Sequence, residues 1–279
     1  MGPTKKTLSP LLGQNEKEEF EVQYGARRGE LVVLTNKLGD FRRLYSYWQA
    51  KLVPIGEDVK FDVAGFDVDR KRTRIAYTTN ENGFTRPHAL DARTYKPVHL
   101  PAFPDADHVV FGTSTPDGRF TTVGVDDGRH PMQGYVLEWT TGKLVPWHTP
   151  STPEVDTTKF ARAQADFFPA RDGTRIPVLV RRPEKCAADP CPVVVSFHGG
   201  PEAQTKPGFG VWEQIFVDAG FVVVEPNVRG SDGYGKALVA RRRRPQAPGD
   251  HHRHRGCLQV GAVQVRVRRE AAQGGRLRG

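Results

Sequence analysis

The stretch "FHGGP", Phe197–Pro201, is the part of this sequence best suited to chemistry. It follows the apolar run Val193–Val195. Its two glycines let backbone N–H groups approach an anion with no Cβ in the way. Donors placed like that stabilise the charge that develops on a carbonyl oxygen during acyl transfer. The plainer reading is that His198 is a strand-end histidine and that Gly199 and Gly200 only make a turn. Acyl transfer also needs a nucleophile, a base and an orienting acid. The sequence contains no Gly-x-Ser-x-Gly elbow: Ser231 in "RGSDG" follows a glycine but sits in a strand-exit turn, and "GTSTP" at Gly112 fails at its last position. His251, His252 and His254 stand beside no serine or acid pattern that would complete a triad. Cys186 and Cys191 bracket "AADP" and could close a small disulfide loop or remain two thiols. Two cysteines five apart with no second pair make a poor zinc site. No metal or organic cofactor is implied.

The elements that must position His198 are readable. "ADFFPARDGTRIPVLVRRP" reads as a hairpin turning at Asp172-Gly173. Val193, Val194, Val195 and Phe197 fit a strand buried on both faces, as in a parallel sheet. Phe209, Trp212, Ile215, Phe216 and Ala219 fall at helical spacing, and Gly220 is the expected stop. "FVVVEP" is a second buried strand. Strand, helix and strand in this order indicate an α/β sheet.

Before this region lies a repeat. "RRGELVVLTNKLGDFRRLYSYWQAKLVPI", "KRTRIAYTTNENGFTRPHALDARTYKPVHL" and "PDGRFTTVGVDDGRHPMQGYVLEWTTGKLVPW" align, with Leu31, Ile75 and Phe120 equivalent. Each reads as a turn, a short strand, a polar turn, a second strand and a hairpin into a third. Several short strands per unit at a near-constant period point to propeller blades, against a β-sandwich with chance similarity. Three blades do not close a ring. The expected order is therefore a partial β-propeller (1–150), a polar linker (151–163), the start of an α/β domain (164–236) and an Arg-rich tail (237–279) that is expected to be disordered.

The net charge of +9 would suggest nucleic acid or a membrane surface were it spread over the chain. It is confined to the tail, which holds eleven Arg, no Lys and two acids, whereas residues 1–236 balance. The tail has no aromatics for base stacking, which argues against a single-strand binder. No run is long enough to span a membrane. The first residues have no apolar core like that of a secretory signal, which leaves the cytoplasm as the default compartment.

"DGTRIPVLVRRP", "PVVVSFHGGPEAQ" and "EPNVRGSDGYGK" together resemble, in order and spacing, the opening of the catalytic domain of prolyl oligopeptidase family serine peptidases, in the dipeptidyl aminopeptidase/acylaminoacyl peptidase branch. A propeller before an α/β-hydrolase domain is also that family's layout. The resemblance implies a peptide substrate, an oxyanion-hole loop at His198, Gly199 and Gly200, and a mainly structural turn at Asn227, Arg229, Gly230, Ser231 and Gly233. It also implies that the Ser, Asp and His of the triad belong after Lys236, where this sequence has none of them.

On that comparison the chain reads as a piece of such a peptidase with an out-of-frame C-terminus. "DHHRHRGCLQ" shifted by one base can spell "TTIDIEDASK", and "QGGRLR" can give "KVGGS", both family-like. The expectations are no peptidase activity and an unpaired edge at "PVVVSF" or "FVVVEP" that favours aggregation. The alternatives are a non-catalytic propeller-based binding protein and a genuine basic tail that contacts phosphates.

Overall fold

A computed structural model of the chain describes residues 10–103, 105–187, 190–200 and 202–240, together with 259, 260, 263 and 264. Each sequence repeat forms one antiparallel meander. The first sheet is β1 (Phe20–Tyr24), β2 (Leu31–Thr35), β3 (Arg43–Trp48) and β4 (Lys51–Pro54) in spatial order 1-2-3-4. The second is β5 (Asp62–Val68), β6 (Arg74–Glu81) and β7 (Phe84–Asp91), with Leu90 bridging to Pro97 where a fourth strand would lie. The third is β8 (His108–Ser114), β9 (Phe120–Asp126), β10 (Gln133–Glu138) and β11 (Lys143–His148). The equivalent residues Leu31, Ile75 and Phe120 lie at the start of the second strand of each sheet. The repeat seen in the sequence thus omits one strand per unit. The missed strands, β1, β5 and β8, precede each matched segment.

Alternation along the strands explains the cores. Val32 and Leu34 on β2 face the same way, as do Ile75 and Tyr77 on β6. The four pack with Leu44, Ile55, Val63 and Leu90 into one core joining the first two sheets. Val109, Val123 and Leu137 form the core of the third sheet, flanked by Phe111 and Trp139. The Arg74 guanidinium lies over the Trp139 ring, 4.7 Å from its centroid, and also bonds the Gly118 carbonyl, tying sheet two to sheet three.

After a 3-10 turn at Thr157–Lys159 the chain enters a mixed sheet. Its strands are β12 (Gln164–Pro169), β13 (Arg175–Arg181), β14 (Val193–Val195) and β15 (Val222–Pro226), in the order β12-β13-β15-β14. β12 and β13 form the hairpin expected at Asp172-Gly173, with Pro169 opposite Arg175, and Gly173 takes the left-handed φ of +77° that the turn needs. β14 and β15 are parallel, joined by α1 (Val211–Asp218), which ends before Gly220. Val178, Val180, Val222 and Val224 pack with Cys186 beneath this sheet. Cys186 and Cys191 are a disulfide, with Cα atoms 5.6 Å apart.

Two readings from the sequence need correcting here. β14 is not buried on both faces: it pairs with β15 alone among the described strands, so it is an edge, and Phe197 just beyond it is 64% exposed. "PVVVSF" is therefore the open edge, and "FVVVEP" is interior. The apolar stripe of α1 does not face the sheet either. The helix buries Gln214 and Val217 and leaves Trp212 76% and Ile215 51% exposed. The helix is held by polar ties, since the Gln214 amide accepts from the Ala161 N–H at 2.9 Å and donates to Asp218 at 2.6 Å.

A short helix α2 (Lys236–Ala240) follows β15, and β16 (Gln259–Val260) pairs with β17 (Val263–Gln264). The rest of the tail, with His251, His252, His254 and Cys257, lies outside the described residues. So do the expectations of disorder and of a frame change there.

Candidate active-site loop

The loop at His198 leaves the carboxyl end of β14, where the Ser196 N–H extends the parallel ladder to the Val224 carbonyl at 2.9 Å. Gly200 has φ +66°, a conformation only glycine adopts cheaply. A Cβ at Gly199 would meet nothing within 4 Å. Packing therefore does not require glycine at 199. The residue keeps the backbone open to whatever approaches from solvent.

His198 is half-buried and both its ring nitrogens are engaged. Nδ1 lies 3.2 Å from the Gly199 carbonyl oxygen, and Nε2 lies 2.8 Å from the hydroxyl of Ser231. A carbonyl can only accept, so Nδ1 donates to it, and Nε2 is held by a hydrogen bond with the Ser231 hydroxyl. The ring has no spare N–H for a ligand, which leaves the backbone amides as the donors the loop can offer. Ser231 is fully buried in the turn after β15, its own N–H bonded to the Val228 carbonyl. It supports His198 and is not accessible to a substrate. Ser114, the other serine weighed from the sequence, lies on β8 and is bonded to Thr121.

The turn after β15 holds the loop from below. Asn227 is fully buried and clamps Thr205: it accepts the Thr205 N–H at 2.8 Å and donates to the Thr205 carbonyl at 2.9 Å. It also donates to the hydroxyl of Tyr234, whose pKa burial pushes up. Arg229 pairs with Asp172 at the hairpin turn. The Thr174 hydroxyl and amide, and then Arg229, hold that carboxyl well below the usual carboxylate range. Arg181 and Glu225 form a buried ion pair, and Arg181 also donates to the Gly208 carbonyl at 3.0 Å. Burial pushes the Glu225 carboxyl up, and Arg181 opposes that.

The meander sheets grip the same segments through three aspartates. Asp40, between β2 and β3, accepts the Ala237 N–H at 2.7 Å. Asp62, at the start of β5, accepts the N–H groups of Arg42 and Gly235 at 2.6 and 2.9 Å, while its burial raises its pKa. Asp126, at the end of β9, accepts the Phe209 N–H at 3.1 Å. Asn80 donates to Gln204 at 2.7 Å, and His108 donates from Nε2 to the Pro207 carbonyl at 2.5 Å. These partners were not foreseen from the sequence. Single carboxylates in loops and at strand ends carry no periodic signal, and the N–H donors they accept from at Phe209, Gly235 and Ala237 are about 80 to 200 residues away in the chain.

Between the sheets and the loop lies a cavity of about 270 Å³ lined by Arg42, Asp62, Asn80, Glu202, Lys206 and Asp232, among others. It is polar, with both signs of charge on its walls. Among the described residues no group of three or more His, Cys, Asp or Glu is placed to hold a metal ion.

No family model matches the chain. It is 27% identical over 182 residues to an uncharacterized peptidase, YuxL, of Bacillus subtilis, covering 64% of this chain and 25% of that protein. It is 31% identical over 71 residues to the prolyl endopeptidase of Elizabethkingia miricola, covering 25% of this chain and 10% of that one. Among solved structures, a prolyl endopeptidase superposes with a TM-score of 0.68 at 20% identity, over 80% of this chain and 33% of the other. That last likeness is one of fold. These curated relatives and structural neighbours are peptidases of the prolyl endopeptidase and puromycin-hydrolysing type, in line with the resemblance that the motifs suggested. It spans about a quarter or less of the length of the curated relatives it matches.

Proposed function

We propose that this chain supplies the access-restricting blades and the oxyanion-side loop of a serine peptidase acting on short peptides. In this reading the three meander sheets are propeller blades. The mixed sheet opens an α/β-hydrolase domain, and the Gly199 and Gly200 amides are the donors to the developing oxyanion. The observation that carries the reading is the open backbone at Gly199, held at the carboxyl end of a parallel strand by the His198–Ser231 bond. Strand carboxyl ends are where open α/β sheets bind their ligands. The polar cavity beside the loop is of a size for one or two residues of a peptide. Lacking a Gly-x-Ser-x-Gly elbow, the 279-residue chain does not turn peptides over.

Two measurements test this. Incubating the purified chain with alanyl-prolyl p-nitroanilide should release no p-nitroaniline, and turnover would overturn the claim of inactivity. Titrating the chain with alanyl-proline amide should shift the amide resonances of Gly199 and Gly200. Shifts confined to other residues would refute the loop's role.

A further inference from the structure

A second cavity lies away from this loop, on the second sheet. It measures about 380 Å³ and is lined by Glu57, Tyr77, His88, Leu90, Val98 and His99, with prolines completing the wall. We propose that it binds a small organic cation, an ammonium or amidinium group on a compact apolar body. The site is independent of the peptidase reading.

The hydrogen bonds fix which atoms of the lining residues are left as acceptors. Thr79 donates its hydroxyl to the Glu81 carboxylate at 3.1 Å. Its oxygen must then accept from His88 Nε2, 3.0 Å away. That places the ring proton on Nε2 and leaves Nδ1 with a lone pair. Burial lowers the His88 pKa, which Glu57 and Glu81 offset only in part, so the ring is neutral near pH 7. The Glu57 carboxylate, in the β4–β5 connection, makes no ion pair or hydrogen bond among the described residues.

Glu57 and His88 line a space whose other lining residues include Tyr77 and His99 together with the apolar Leu90, Val98, Leu100 and two prolines. His88 is opposite Tyr77 in the β6–β7 register and stacks on it with centroids 4.8 Å apart, which holds the imidazole in place. Leu90 and Val98 are likewise fixed, since the Val98 N–H bonds the Ala89 carbonyl at 2.8 Å and Leu90 bridges to Pro97. The volume is at the lower end of small-molecule sites, roughly 300–1,000 Å³. Two acceptors, one of them charged, suit a donor-rich cation and repel an anion.

The test uses the full 279-residue chain and three probes of one shape: benzylammonium, benzyl alcohol and benzoate. Affinities are read by NMR titration, with ring-¹⁵N spectra reporting the His88 tautomer. Benzylammonium should bind about tenfold more tightly than benzyl alcohol, the discrimination of one charge-assisted hydrogen bond. Benzoate should not bind. The ammonium should shift the His88 Nδ1 resonance and the Leu90 and Val98 amides. Glu57→Gln, at an exposed position, should remove the tenfold preference without altering the melting temperature. Equal affinity for amine and alcohol would overturn the proposal. So would binding of none of the three, unchanged amine affinity in Glu57→Gln, or shifts centred on Asp62 and Asp232 instead.

Discussion

The meander sheets and the mixed sheet are built from similar apolar runs with opposite outcomes. "LVVLT" in β2 is buried from its second residue to its last, with Val32 and Val33 wholly inaccessible. "VVVSF" at β14 and "VWEQIF" in α1 leave Val195, Phe197, Trp212 and Ile215 exposed. In a meander each strand finds its partners through a short hairpin, and adjacent sheets close the core between them. A parallel strand needs partners delivered by long crossovers. The burial of β14 and α1 is therefore set by elements distant in sequence, and local pattern says nothing about whether they are supplied. The comparison teaches that apolar spacing states what can be buried, while closure of the sheet decides whether it is.

The largest expected effect sharpens the contrast in the mixed sheet. Arg181→Met would leave the Glu225 carboxylate buried without its partner, at a cost of about 3–5 kcal/mol. Urea unfolding followed by Phe and Trp signals should show this loss in the mixed sheet while the sheet-one core holds. An equal shift throughout would mean that the two regions are one cooperative unit. Leu34→Ala, in the core joining the first two sheets, should cost about 2–5 kcal/mol by the same measurement. A cost well under 1 kcal/mol would mean that the core joining the first two sheets is loosely closed and the contrast false.

Smaller effects probe particular contacts. Ser231→Ala should cost about 1 kcal/mol and change the His198 ring-¹⁵N pattern, because Nε2 loses its hydrogen-bond partner. An unchanged spectrum would remove the support claimed for the loop. The lowered His88 pKa also has a sign. The unfolded chain takes up a proton there near the usual 6.5, before the folded chain does, so stability falls as pH drops below that value. Melting temperatures across pH 7 to 5 should decline, and His88→Asn should flatten that part of the decline. Trp212→Gln should change stability by no more than about 0.5 kcal/mol, since the indole is already in water. It should reduce self-association in light scattering, and a large destabilisation would mean that the α1 face is covered in solution.

Much of the architecture could be read without coordinates. Leu31, Ile75 and Phe120 marked equivalent strands because one supersecondary unit recurs. Asp172-Gly173 marked its hairpin because few residues accept a left-handed turn. Gly220 marked the end of α1 for a similar reason. The first strand of each meander escaped because "FEVQY", "DVAGFDV" and "HVVFGTS" share no common spelling. The loop at His198 was visible as a candidate because glycines after an apolar strand are a local signal.

Its supports were not visible. Ser231, Asn227, Asp62 and Asp126 meet their partners only after the chain has folded back. The sequence left Cys186 and Cys191 open between disulfide and thiols, and only the tertiary structure brought them together. Hairpins, turns, helix ends and the repeat were determined by the sequence itself, because backbone sterics and short-range alternation act within a few residues. Which strand became an edge, which face of α1 met water, and which carboxylates came to hold the His198 loop were decided by the tertiary structure alone, because each depends on groups brought together across tens to hundreds of residues.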